Sequence, residues 1–157
     1  MGVEIERKFL VLHDGYKSGA KMTFIKQGFL NDDLQRTVRV RVADGKACIT
    51  IKGPSVGPAR PEFEYPVPIA DAEFMINELC IPPILVKNRF VLQFSGWTWE
   101  VDEFMGDNAG LVIAEVELPD KGSKLEFPEW IGREVTGETR YYNANLIRHP
   151  YKDWKGK

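Results

Sequence analysis

The sequence predicts a mainly β fold with an α+β character: an eight-stranded antiparallel barrel closed around a polar interior and flanked by helices. Two observations predict it. Eight strand-like segments follow one another with short breaks, and in nearly all of them charged residues alternate with valine, isoleucine or an aromatic residue. Side chains on a strand point to alternate faces, so this alternation gives each strand one charged and one apolar face. An antiparallel sheet of this size curls and closes, which removes its exposed edges.

The strand segments are expected at about 3 to 11, 22 to 30, 35 to 43, 46 to 52, 60 to 67, 84 to 93, 96 to 104 and 111 to 118, each rich in β-branched or aromatic residues. Asn31-Asp32-Asp33, Gly53-Pro54 and Gly106-Asp107 supply turn chemistry between them, and Asp44-Gly45 and Ser95-Gly96 read as tight hairpins. One helix interrupts the series: Asp71 is its expected cap, Phe74, Met75, Ile76 and Leu79 its apolar side, and Pro82-Pro83 its stop. A second is expected from about Gly137 to Arg148, capped by Thr136 and packed through Tyr141, Leu146 and Ile147.

The bulk numbers fit one domain over residues 1–157. The chain is 43% hydrophobic, and 21 Lys and Arg against 23 Asp and Glu leave a net charge of −2. Without an overall basic field no nucleic-acid partner is expected, so any anion site must be local. Cys48 and Cys80 have no metal-like spacing and suit a reducing compartment. No basic-then-apolar leader precedes Glu4 and no apolar run approaches the roughly 20 residues that span a bilayer, so a cytoplasmic, membrane-free protein is expected.

The decisive question is where the charged faces point. Glu4-x-Glu6, Glu62-x-Glu64, Glu100-x-Asp102 and Glu115-x-Glu117 place like charges on neighbouring same-face sites, as do Arg39-x-Arg41 and Lys87-x-Arg89. Such pairs repel unless something of opposite sign lies between them. Acids and bases neutralise one another best across a common, wet lumen, because desolvating an unpaired ion costs several kcal/mol. An outer-membrane barrel also has a polar interior, but this chain lacks aromatic girdles and carries an apolar helix near residue 75 to cover its outer face.

Glu-x-Glu pairs are hard oxygen ligands suited to Mg²⁺ or Mn²⁺, while arginine forks and lysine point charges suit a phosphate chain. His13 and His149 stand alone, the Gly53–Gly57 loop lacks the Gly-Lys-Ser/Thr ending of a P-loop, and the facing bases have no purpose for a neutral sugar.

Read in order, Glu4-x-Glu6-x-Lys8, Gln27-Gly28-Phe29-Leu30, Arg39-x-Arg41, Lys52, Arg60-x-Glu62-x-Glu64, Lys87-x-Arg89, Glu100-x-Asp102-x-Phe104, Glu115-x-Glu117 and Trp130-x-Gly132-x-Glu134-Val135-Thr136 resemble the CYTH superfamily of triphosphate tunnel metalloenzymes, most closely its short bacterial inorganic triphosphatases. The resemblance implies a tunnel that hydrolyses a linear triphosphate, inorganic tripolyphosphate above all, with Mg²⁺ or Mn²⁺. It implies Glu6, Lys8 and Arg41 as catalytic; Lys8, Arg39, Arg41, Lys52, Lys87 and Arg89 as triphosphate-binding, with Arg133 and Arg140 as weaker candidates; and Glu4, Glu6, Glu115 and Glu117 as metal ligands, with Glu62, Glu64 and Asp102 as further candidates. Phe29 departs from a position where the family often has Tyr. Class IV adenylate cyclase, nucleoside or thiamine triphosphatase, RNA triphosphatase and a non-catalytic polyphosphate-binding module are the competing readings. A homodimer is left open.

Overall fold

A computed structural model describes residues 2–156. Its strands are β1 (Val3–Val11), β2 (Lys21–Phe29), β3 (Thr37–Ala43), β4 (Lys46–Lys52), β5 (Ala59–Pro66), β6 (Ile81–Phe94), β7 (Trp97–Phe104), β8 (Val112–Glu117) and β9 (Ile131–Glu134). They pair antiparallel in the order β5-β4-β3-β2-β6-β7-β8-β1, and β5 returns to β1 to close an eight-stranded barrel, with β9 added along β1. The expected closed barrel is what the chain forms. Asp44 and Gly45, and Ser95 and Gly96, all adopt positive φ, as two-residue hairpins require.

Alternation separates the two faces. Phe9, Trp99, Val101, Ala114 and Val116 turn outward and pack with Tyr16, Leu118 and Trp130. On the other side Val40 and Ala47 pack under Ala72 and Ile76. A third cluster belongs to the barrel's interior: Phe29, Leu85, Phe104 and Ile113 share the lumen face with the charged rows and meet Val135, Tyr141, Leu146, Ile147 and Trp154. That cluster packs the C-terminal segment against the apolar part of the lumen face. Burial of each such side chain contributes roughly 1.5–3 kcal/mol.

The helical expectations need correction. The first helix, α1 (Ile69–Phe74), follows Pro68 and has no side-chain cap; Asp71 lies inside its first turn. It runs into a π-helical turn, Met75–Leu79, closed by Cys80. Only Ala72 and Ile76 are fully buried, whereas Phe74 and Leu79 are 60% and 57% exposed. The wider turn breaks the 3.6-residue repeat on which a broad apolar side depends. Pro82-Pro83 does not stop the helix but lies within β6, where the pairing with β2 shifts opposite Gly28. An irregularity is where a strand tolerates residues without an N–H.

The long helix expected from Gly137 is instead a 3₁₀ turn, Thr139–Tyr141, then α2 (Asn143–Leu146), with Tyr142 extended between them. Thr136 caps nothing: its hydroxyl accepts from the Lys8 N–H at 2.9 Å and donates to Glu134 at 2.7 Å. Strand β9 was not expected from the sequence. Among the described residues no helix is long and apolar enough to cross a membrane.

Candidate active site

Register brings the charged rows together inside the barrel. Glu6 lies opposite Glu117, Lys8 opposite Glu115, Glu115 opposite Glu100, Asp102 opposite Arg89, Arg39 opposite Thr50, and Lys52 opposite Glu62. The barrel closes through only a short β1–β5 ladder, Val3 to Ile5 with Ala59 to Pro61. Beyond it, Glu6 N donates to Pro58 O at 3.1 Å, so Glu6 and Lys8 sit where β1 leaves β5 for β9.

Three spaces bear on the lumen: an inner chamber, an outer mouth, and a cleft of about 20 Å³ that shares Glu6, Lys8, Arg60 and Tyr142 with the chamber and adds Ser55, Gly57, Pro58, Thr136 and Gly137. The inner chamber, about 50 Å³, is lined by Glu6, Lys8, Phe29, Thr37, Arg39, Thr50, Lys52, Arg60, Lys87, Arg89, Glu115 and, from the C-terminal segment, Tyr142, Asn143 and Ala144. The outer mouth, about 440 Å³, is lined by Arg41, Cys48, Glu64, Arg89 and Glu100 together with Thr23, Ile25, Ala43, Lys46, Ala47, Pro66 and Val91.

Within these walls the charges divide into distinct sets. Asp102, fully buried, takes both prongs of Arg89 at 2.8 and 2.9 Å and the Lys87 ammonium at 2.8 Å. Burial alone raises its carboxyl, but the two cations outweigh it and hold it well below the usual carboxylate range. Lys87, equally buried, is pushed down to about 8 by desolvation and by neighbouring Arg89, against the pull of Asp102. Glu4 and Glu62 share Lys52 at 3.0 and 3.4 Å. Glu64 accepts from Thr50 and lies 3.6 Å from Arg41.

Lys8 reaches Glu115 at 3.3 Å and Glu6 at 3.4 Å. Desolvation lowers its pKa, but Glu115, Glu6 and Glu4 more than offset this and leave it above the ordinary lysine value. Arg39 is lowered to about 10 by burial and by Arg41 and Arg89. Glu117 is raised by burial and by the repulsion of Glu6 and Glu100. An acid crowded by acids is a place for a cation.

Comparison with known proteins agrees with this geometry. Residues 2–151 match the CYTH domain. A relative from Acetivibrio thermocellus described as an inorganic triphosphatase is 51% identical over 155 residues, 99% of each chain. The chain belongs to the CYTH domain family. A solved inorganic triphosphatase superposes with a TM-score of 0.65 at 28% identity, covering 91% of this chain and 96% of that one. A putative adenylate cyclase from Bacillus halodurans shares the fold, with a TM-score of 0.59 at 18% identity over 77% of this chain and 84% of its own.

In this CYTH domain the expected site residues do not all meet. Glu6, Lys8, Arg39, Lys52, Lys87, Arg89 and Glu115 line the inner chamber, and Arg41 and Glu64 the mouth. Arg133 lies outside both, exposed and bonded to Glu138 at 2.7 Å, and Arg140 stacks on Trp154 at 4.0 Å. Among the described residues no three acids converge closely enough to hold a metal as they stand. Their partners explain why: Asp102, Glu4 and Glu62 are committed to bases. The Glu6–Glu117 pair, with Glu115 beside it, fits a divalent cation best: no arginine is bound there, Lys8 is the base that reaches Glu6 and Glu115, and burial with the repulsion of Glu6 and Glu100 still holds Glu117 up against Lys52.

Sequence reasoning missed Tyr142 and Asn143, which no motif announces. It also passed over Arg60 as a ligand, although its place in Arg60-x-Glu62-x-Glu64 put it on the lumen face; its buried NH2 nitrogen has no hydrogen-bond partner.

Proposed function

We propose that this chain is a divalent-metal-dependent triphosphatase that hydrolyses inorganic tripolyphosphate to diphosphate and phosphate. The observation that carries the reading is the enclosed lumen in which Lys8, Arg39, Lys52, Arg60, Lys87 and Arg89 surround the inner chamber while Glu6 and Glu115 enter from β1 and β8. A polyanion and a cation are both accommodated there, and neither charge row alone would serve.

Glu6, Glu117 and Glu115 would hold Mg²⁺ or Mn²⁺, which when bound supplies Lewis-acid polarisation of phosphoryl oxygens. Glu4, Glu62, Glu64 and Asp102 act indirectly in this reading, by fixing Lys52, Arg41, Lys87 and Arg89 in place. Water held by a carboxylate of the Glu6 wall attacks the terminal phosphorus in line; the new P–O bond forms as the bridging P–O bond breaks, and diphosphate leaves with the electron pair. The proton passes to a carboxylate and on to solvent. Lys8 keeps its proton and serves as a fixed positive charge, while Arg39, Arg41 and Arg89 offset charge on the departing diphosphate.

The test is phosphate release from tripolyphosphate, ATP and thiamine triphosphate, each with Mg²⁺ or Mn²⁺. Turnover fastest with tripolyphosphate is expected; cyclic AMP from ATP, or binding without release, would replace the reading with a cyclase or a polyphosphate-binding module.

A further inference from the structure

Six bases line the inner chamber, and all but one are already paired with acids of the protein. Lys8 lies 3.4 Å from Glu6 and 3.3 Å from Glu115, and Lys52 lies 3.0 Å from Glu4 and 3.4 Å from Glu62. Lys87 and Arg89 each meet Asp102 at 2.8 Å. Arg39 donates to Thr50 at 3.0 Å and lies 3.8 Å from Glu64. The exception is Arg60, which makes no ion pair among the described residues.

Strand register explains the exception. Glu4 stands opposite Arg60 across the β1–β5 ladder, but both Glu4 oxygens lie on Lys52, at 3.0 and 3.1 Å. Arg60 Nε donates to the Gly53 carbonyl at 3.0 Å, and the Tyr142 ring lies 5.7 Å from the guanidinium carbon. The first contact fixes the fork, and the second gives it the aromatic face that a cation favours. Its NH2 nitrogen is buried and has no partner. A buried donor without an acceptor costs stability, and a native fold keeps one where a ligand or water completes it.

Arg60 borders both the chamber and the side cleft, and in each it shares the wall with Glu6 and Lys8. That is the wall at which the attacked phosphorus lies in the mechanism above. A guanidinium fork matches two oxygens of a phosphoryl group, and with Nε held by Gly53 its terminal N–H groups remain for that contact.

We infer that Arg60 is the uncommitted cation of the chamber and grips the phosphoryl group being transferred. This rests on the triphosphatase reading and deepens it. The paired bases set the shape and the general field of the lumen, whereas Arg60 completes its charge-assisted bonds only when the substrate arrives.

The experiment compares Arg60→Met and Arg60→Lys with the native full chain by thermal melting, by calorimetric titration with tripolyphosphate in EDTA, and by phosphate release with Mg²⁺ or Mn²⁺. For Arg60→Met, Kd is expected to weaken about tenfold or more and kcat/KM to fall about 100-fold, with the melt unchanged or higher. Arg60→Lys keeps the charge without the fork and is expected to recover only part of the loss. A lower melt with native Kd and kcat/KM would make Arg60 a brace for the Gly53 loop and overturn the inference. If Arg60→Met does not fold, Arg60→Lys decides, and native Kd and kcat/KM in that variant overturn the grip. A native chain that releases no phosphate from tripolyphosphate overturns the triphosphatase reading instead, and the titration in EDTA then decides by itself whether Arg60 holds the phosphate chain.

Discussion

Glu100-x-Asp102 on β7 and Glu115-x-Glu117 on β8 are the same pattern in sequence and neighbours in the barrel, yet they end in opposite electrostatic states. Asp102 is saturated, gripped by Lys87 and by both prongs of Arg89. Glu117 faces Glu6 across the ladder and is held up by burial and repulsion. One carboxylate has become part of the scaffold that aims two cations, and the other is left with charge to spend on a bound cation. What separates them is the neighbouring strand: β6 offers Lys87 and Arg89 to β7, whereas β1 offers Glu6 to Glu117.

The sharpest way to break this contrast is Asp102→Asn, which strands two buried cations. A loss of about 3–5 kcal/mol of stability is expected, read by denaturant unfolding, with a fall of ~10 °C in thermal midpoint. A stable variant would show that Asp102 is not the anchor. Glu117→Gln should do the reverse. It relieves repulsion, so the melt is unchanged or higher, but kcat for tripolyphosphate drops on the order of 100-fold even in excess metal. Parallel losses of stability and rate would erase the distinction between the two acids.

A subtler probe is pH at Lys87. Protonated below about 8, it loses its charge as pH rises, so kcat/KM for an anionic substrate should decline above that value. Lys87→Arg should move the decline upward. Stability has the opposite sign. The folded pKa of Lys87 lies below its unfolded value, so between about 8 and the ordinary 10.5 the unfolded chain binds more protons and stability gains with pH. An activity profile that is flat through this window in the native protein would remove Lys87 from substrate binding.

The smallest effect belongs to Arg133, whose exposed pair with Glu138 lies outside the lumen. Arg133→Ala should leave kcat/KM within about twofold and the thermal melt unchanged. A tenfold loss would mean that the resemblance located this arginine better than its position in the barrel does.

Much of the fold was legible because a strand's two-residue period survives any tertiary context. The alternation in Val38 to Val42 fixes which residues share a face, and the like-charged pairs fix that the face needs a partner of opposite sign. Hairpins at Asp44-Gly45 and Ser95-Gly96 were equally readable, since few residues take positive φ. The C-terminal segment was not. Its apolar residues suit a helix, yet Gly137 turns with φ +80° and Tyr142 is extended, and only docking against the barrel end decides that outcome.

The amino-acid order by itself determined that acids and bases line one surface of a closed sheet, because side-chain parity is a local property of the backbone. Which acid meets which base was decided only by strand order and register. So was the meeting of Tyr142 with Lys8 and Arg60, and of Asn143 with Gln27 and Lys87. Contacts such as Asn143 to Lys87, 56 residues apart, depend on how distant segments pack rather than on anything local to either.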